Sequence, residues 1–356
     1  MKPLVTALID TFNHEKYIEQ ALVSVVDQGL SPSELEIVVV DDGSTDTTPS
    51  IVEKFLPRIR YLRKKNGGQA SAFNAGFPET HGQVVAILDG DDWWAKGKLA
   101  RVLEALERNP DASAIGHAYY RYDERTREEK VCGPLEETSL SLATPTAAQD
   151  AFSKWAFLQP SALTVRRRLL ERVIPIPEVL VFSADSPITF ASMALGVRVL
   201  PSPLSFYRLH QASMYESSSA DPEKLRRRYE MDDVMFSILW GLLSRLGVPP
   251  VCISTFIDPA WVWINRACLQ TFGGSRWKTL RTEMRYFRIT YKNPTLAYRL
   301  FKYAVMAPAT LLVPPRQFYK MRDWYAHRNL GRLRDLIFKE QRRVEEGQAR
   351  DDKFAG

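Results

Sequence analysis

The chain has 356 residues, 45% of them hydrophobic and 25% charged, enough for one large domain or two ordinary ones and too apolar for wholesale disorder. Its three cysteines, Cys132, Cys252 and Cys268, lack CxxC spacing, which argues against a disulfide framework or a cysteine-built zinc site and favours a reducing cytosol. The net charge of +6 is divided: residues 222–356 hold 25 Lys+Arg against 13 Asp+Glu, leaving −6 on residues 1–221.

The opening residues, MKPLVTALIDTFNHEKY, enter a strand-like run at once and are too polar for a signal peptide. A buried strand is expected at 4–9. A helix follows, carried by Tyr17, Ile18, Ala21, Leu22, Val25 and Val26 at helical spacing with Asn13 as its cap. A strand at 36–40, a helix near 47–57, a strand near 59–62, a helix near 69–77, a strand at 84–88 and a helix near 96–107 come next. This alternation predicts an α/β fold with a mostly parallel sheet and helices on both faces. Ligands of such sheets bind beyond the carboxyl ends of the strands.

Three of these strands end in acids: Asp10 before Thr11, Asp41-Asp42-Gly43-Ser44, and Asp89-Gly90-Asp91-Asp92. A turn or a helix cap explains any one of them, but convergence on one edge points to a site. Two carboxylates flanking one residue suit a hard divalent cation, Mg²⁺ or Mn²⁺, shared with substrate phosphates. A solvated acidic turn is the other reading of DGDD.

The segments VTALIDTFNHEKYIEQALVSVVDQ, EIVVVDDGSTDTT, NGGQASAFNAGF, GQVVAILDGDDWW and FYRLH, in this order, resemble the family 2 inverting glycosyltransferases of the GT-A fold over about residues 3–215. The resemblance implies a nucleotide-sugar donor, most often a UDP-sugar. It places Asp10 and Thr11 at the base and ribose, and gives Asp42 or Asp41 the uracil contact. Gly67, Gly68 and Asn74 fall in the segment that closes over the nucleotide, with Phe73 where many members carry Arg. Asp91 becomes the direct metal ligand, Asp89 a ribose or metal contact, and Asp92 a supporting acid.

Inverting transfer also needs a base for the acceptor hydroxyl. In VLVFSADSPITFASMA the resemblance offers Asp185, with Ala184 where the family usually has Glu. The alternative is that Asp185 only caps the helix starting near Pro187. His210 of FYRLH matches the segment that closes the family's site, which makes it a metal or pyrophosphate contact rather than a packing histidine. Arg208 and Ser213 are further candidates beside the leaving group. Gln159 and Ser161 either touch acceptor or make ordinary hydrogen bonds.

Beyond about residue 216 the alternation stops, so the expected division is a catalytic part, 1–215, and a helical, basic part, 216–356. The apolar run Tyr303–Val313 is too short to span a bilayer. Arg316, Phe318, Tyr319, Lys320, Arg322, Trp324 and Tyr325 then mix aromatics with cations as interfacial helices do. An anionic membrane surface is the expected partner, at the inner face of the cell membrane. Packing on the catalytic part is the plainer reading. From Glu340 on, the composition suits a frayed tail. The acceptor expected is a saccharide or a lipid-linked one, in cell-surface polysaccharide synthesis. An NAD-dependent oxidoreductase is disfavoured because no glycine follows the first strand. A nucleic-acid-binding protein is disfavoured because the basic residues form no recognised motif.

Overall fold

The structure is a computed structural model describing residues 3–154, 158–181, 183–210, 222–290 and 295–327. Ser213 and the tail from Glu340 lie outside these residues. The chain divides into two compact units, Met1–Trp261 and Val262–Gly356.

The first unit is built on one mixed, mostly parallel sheet. Its leading strands are β1 (Val5–Thr11), β2 (Leu35–Asp41), β3 (Arg60–Arg63) and β4 (Val84–Asp89), alternating with helices α1 (Ile18–Val26), α2 (Thr48–Glu53) and α3 (Gln69–Gly76). These strands lie side by side in the order β3-β2-β1-β4, all parallel. β1, β2 and β4 are apolar and buried nearly throughout, as strands covered on both faces must be. Ile18, Ala21, Leu22 and Val25 turn one face of α1 into the same core, and Leu99, Val102, Ala105 and Leu106 do so for α4 (Lys98–Arg108).

The sheet continues through β5 (Trp93–Trp94), β6 (Ala114–Asp123), β7 (Glu128–Cys132), β8 (Thr138–Leu140), β9 (Leu163–Arg166) and β10 (Val197–Leu209). β9 runs antiparallel between β4 and β6, and β10 runs parallel to β6. Helices α5 (Pro145–Lys154), α6 (Arg167–Val173) and α7 (Ser186–Ala194) connect these strands.

One expectation shifts. α1 starts at Ile18, and Asn13 does not cap it: Asn13 sits at φ 53° and its Oδ1 accepts from the Thr45 backbone at 2.8 Å. The loop after β2 has recruited that side chain to pin the loop after β1. The first unit runs to Trp261. α8 (Pro222–Arg245) and the start of α9 (Pro250–Phe272) belong to it, because Met235, Phe236, Leu239 and Leu243 bury an apolar face and Phe256 packs edge-on against Phe190 of α7 at 5.2 Å.

In the second unit, α9 ends and α10 (Arg276–Thr290), α11 (Leu296–Leu312) and α12 (Pro315–His327) follow. Its interior holds a buried ion pair: Glu283 is 4% exposed and accepts two hydrogen bonds from Arg266, at 2.8 and 2.6 Å. Two residues expected at an interface are engaged within the unit. Tyr319 is fully buried, and Arg322 spends its guanidinium on Glu283 and Asp323. Among the described residues no helix is long and apolar enough to cross a membrane.

Candidate active site

Strand register assembles the site. β1 lies between β2 and β4, so Asp10 faces Asp89 and Thr11 faces Asp41 across the ladders. This is the place where the strand order turns back, the usual seat of a ligand in an open α/β sheet. Gly90 lets the turn after β4 press onto β1: a Cβ there would lie 2.8 Å from the Asp10 carbonyl oxygen, and the Gly90 N–H donates to that oxygen at 2.9 Å.

The four acids around Gly90 have different surroundings. Asp92 is nearly fully buried and both its oxygens are taken, one by the Ser161 hydroxyl at 2.7 Å and the other by the Arg208 backbone N–H at 2.8 Å. Burial, then the nearby Asp91, still push its carboxyl well up. Asp91 accepts from His210 Nε2 at 2.9 Å, and His14 Nε2 stands 3.9 Å away. Burial opposes its ionisation, but the hydrogen bond from His210 and the two imidazoles hold it below the ordinary value. Burial pushes His14 itself down.

Asp89 accepts from Gln69 Nε2 at 3.0 Å. Its carboxyl is raised well above normal, by burial first and then by Asp10, Asp92, Asp91 and Asp185. Asp10 is pushed up to about 7 by burial and by Asp91, and its Oδ1 is buried without a hydrogen-bond partner.

The oxygens of Asp89, Asp91 and Asp92 come within 4.8 Å of one another. Like charges this close are costly unless a cation or protons join them. The cluster therefore suits a divalent metal, with Asp91 and Asp89 as the available ligands and Asp92 as the acid that fixes the turn.

Arg208 and His210 reach this turn from the end of β10. The Arg208 guanidinium donates to the Asp91 carbonyl at 2.8 Å and to Gln20 Oε1 at 2.7 Å. It lies 4.4 Å from the Trp93 ring and 4.7 Å from Tyr17, and Tyr17 packs at a tilt against His210, ring centres 4.6 Å apart. Asp185 sits at the N-cap position of α7, but its side chain makes no capping hydrogen bond. Burial raises it to about 6. Ala184 beside it is fully buried.

Other expected residues hold the frame. Asp41 accepts from the Ser44 N–H and the Tyr61 hydroxyl, both at 2.7 Å. Asp42 takes the Lys64 ammonium at 2.6 Å and the N–H groups of Gly67 and Gly68. Gly68 opens α3 at φ 85°, a conformation that favours glycine. Asn74 ties α3 to the Ile176 backbone through both its amide atoms, at 2.8 and 2.7 Å. Thr11 hydrogen-bonds His14 Nδ1 at 3.2 Å.

His14 and Gln69 were not picked out from the sequence; each lies a few residues past a strand or loop end already marked, with no pattern of its own. Ser161 proves to be a hub, accepting from the Asp89 N–H at 3.1 Å and donating to Asp92. Its carbonyl receives Lys98 Nζ at 3.2 Å, a fully buried ammonium set over the Trp94 ring at 3.5 Å and pushed well below its ordinary pKa by burial.

The glycosyl transferase family 2 model matches residues 6–174. An uncharacterized glycosyltransferase of Nostoc sp., alr2836, is 33% identical over 225 residues, 61% of this chain and 68% of that protein. TuaG of Bacillus subtilis, a putative teichuronic acid biosynthesis glycosyltransferase, is 40% identical over 34% of this chain and 50% of its own length. The S. aureus TarS 1–349 structure in complex with UDP-GlcNAc superposes with a TM-score of 0.54 at 19% identity, covering 81% of this chain and 87% of that one. The resemblance and the fold it implied are thus borne out: the chain belongs to the family 2 glycosyltransferases, with a GT-A-like α/β fold and a helical C-terminal region.

Proposed function

We propose that the protein moves a sugar, with inversion, from a nucleotide-sugar donor, a UDP-sugar, to a saccharide or lipid-linked acceptor in cell-surface polysaccharide synthesis. Residues 1–215 supply the catalytic part of this reading and 216–356 a helical basic part working at the inner face of the membrane. The observation that carries it is the donor-poor acid cluster at the turn of the strand order, where Asp10, Asp89 and Asp91 converge with His210 beside them.

Asp91 and Asp89 would hold Mn²⁺ or Mg²⁺, with His210 beside Asp91. Neutralisation of the departing nucleotide diphosphate is the chemistry such a cation supplies when bound. Arg208, fixed by its bonds to the Asp91 carbonyl and Gln20, holds the turn in shape and adds positive charge next to it. Asp10 and Thr11 face the donor's nucleoside, and Asp42 keeps the loop at Gly67–Gly68 folded next to it. Asp185 takes the proton of the acceptor hydroxyl as that oxygen attacks C1 and the diphosphate leaves from the opposite face. A carboxyl near 6 is ionised at neutral pH yet basic enough to accept that proton.

The test is a thermal-shift screen of nucleoside diphosphates with and without Mn²⁺, followed by a panel of nucleotide sugars for hydrolysis and transfer. Stabilisation by UDP that needs the metal, and transfer lost in EDTA, support the reading. Full activity in EDTA sinks the metal role, and a product of retained anomeric configuration sinks the mechanism.

A further inference from the structure

Helix α11 exposes the wrong side chains for a helix facing water. Leu296, Leu300, Ala304, Pro308 and Leu312 are spaced four apart and so form one ridge along the helix. All five are exposed, the leucines at 71%, 60% and 73%. Val305 beside them is 56% exposed, and Trp277 of α10 is 70% exposed. A soluble helix keeps its apolar stripe inward and its charges outward; here the exposed ridge carries no charge.

The charge around the ridge has one sign. Residues 262–327 contain twelve Lys+Arg and two Asp+Glu, and no acid occurs in the 39 residues from 284 to 322. The two acids are spent inside the unit, Glu283 on Arg266 and Arg322, Asp323 on Arg322 and Gln270. Arg276, Arg288, Arg299, Arg316 and Lys320 are all exposed. Among the described residues of the unit, an apolar ridge therefore lies among these five exposed cations, while both acids are engaged elsewhere.

We propose that this ridge seats the unit on a bilayer surface rich in anionic lipid, α11 lying in the interface with its leucines at the acyl boundary and the cations at the headgroups. Charge complementarity decides the occupant. A second copy would bring another excess of ten positive charges to the contact and be repelled. A nucleic acid would answer the cations but not the leucines, because single strands stack on aromatic rings and duplexes offer no apolar groove of this length. A bilayer surface answers both. With 17 residues, α11 is not long and apolar enough to cross a membrane. This inference rests on residues 262–327 alone and does not depend on the transferase reading.

The experiment is co-flotation of the full-length protein with vesicles of phosphatidylcholine alone and with about one third phosphatidylglycerol, at low and high salt. The wild type should float with the anionic vesicles, less at high salt but not to zero, since the apolar contact is unscreened. The exposed triple variant Leu296→Ser/Leu300→Ser/Leu312→Ser should lose at least about tenfold in vesicle affinity and lose the salt-resistant part. The triple variant Arg276→Gln/Arg299→Gln/Lys320→Gln should lose on the order of 10²-fold and most of the salt dependence. The thermal unfolding midpoint, measured in parallel, should stay as in the wild type for both and reports folding independently.

Failure of the wild type to float with either vesicle overturns the proposal. So does undiminished binding by both variants. Tight binding to a mixed oligonucleotide without flotation assigns the cations to nucleic acid. A dimer by light scattering that the leucine variant dissolves, without flotation, assigns the ridge to self-association.

Discussion

β2 and β4 both end in paired acids at the same edge of the sheet, yet the protein treats the two pairs differently. At the end of β2, Asp41 and Asp42 are met by donors from every side: the Ser44, Gly67 and Gly68 N–H groups, the Tyr61 hydroxyl and the Lys64 ammonium. At the end of β4, Asp89 has Gln69 beside it but is crowded by Asp10, Asp91, Asp92 and Asp185, while an oxygen of Asp10 is buried with no partner. We read the difference as one between acids that hold the fold and acids that wait for a ligand. A carboxylate satisfied by fixed N–H and O–H groups is structural; one left short of donors among its own kind is poised for a cation.

That contrast predicts opposite outcomes for the same chemical change at the two ends. Asp91→Asn should cost the most activity, on the order of 10⁴-fold, because on the proposed reading several kcal/mol of charge stabilisation at the diphosphate depends on the metal Asp91 would hold. Its melting temperature without metal should not fall. Activity assays across a Mn²⁺ titration and a metal-free melt check both halves. Near-normal turnover would move Asp91 to the structural group with Asp42.

Asp185→Asn should leave donor affinity near the wild-type value and lower turnover by roughly 10²–10⁴-fold. Burial holds this carboxyl at about 6, and only its ionised form accepts a proton. Wild-type turnover should therefore fall as pH drops through about 6, and that limb should be missing from the residual activity of the variant. Loss of donor affinity with turnover intact would make Asp185 a cap after all.

How much of this was legible in the sequence follows from how local each signal is. β1, β2 and β4 are continuous apolar runs ending in acids, and α1 and α4 repeat at helical spacing, so their types and order could be read with boundaries off by a residue or two. Asn13 was misplaced because its partner, the Thr45 N–H, lies 32 residues away. Much of the sheet beyond β4 carries no local signal for the same reason: β6 and β10 find each other across a long crossover that no local pattern encodes. Within the site, the sequence marked which acids share an edge but not which are satisfied. Ser161, Lys64 and Gln69 decide that, and each is an ordinary polar residue until the fold sets it beside an aspartate.

Asp42→Asn tests the saturated end of the comparison. The amide keeps the shape but sets an NH₂ against the Lys64 ammonium or the Gly67 and Gly68 N–H groups. Charge-assisted bonds are worth about 1.5–3 kcal/mol, so a loss of about 3 kcal/mol of stability is expected in chemical denaturation, with or without metal. An unchanged denaturation midpoint would show that these bonds are replaced by water at no cost.

Asp10→Asn is the smallest expected effect and has the opposite sign. The ordinary carboxyl value is 3.8 and Asp10 in the fold is held at about 7, by burial first and then by Asp91. Below the ordinary value both the folded and unfolded chains carry the proton, and the group is neutral in its effect on pH dependence. As pH rises the unfolded chain ionises first, so the native state loses stability until, above about 7, the buried carboxyl has ionised too and the loss is complete. The full shift would correspond to about 4 kcal/mol, but Asp10, Asp89 and Asp91 share their protons and relieve one another. About 1 kcal/mol is the expected gain from Asp10→Asn at pH 8. The amide removes the titration, so the variant should melt above the wild type at pH 8 and match it at pH 4. The advantage should shrink when UDP and Mn²⁺ are present, because the bound cation compensates the same repulsion. A variant less stable than the wild type at pH 8 without metal would mean that the Asp10 carboxylate is needed as an acceptor, and would place β1 with β2 rather than β4 in the comparison.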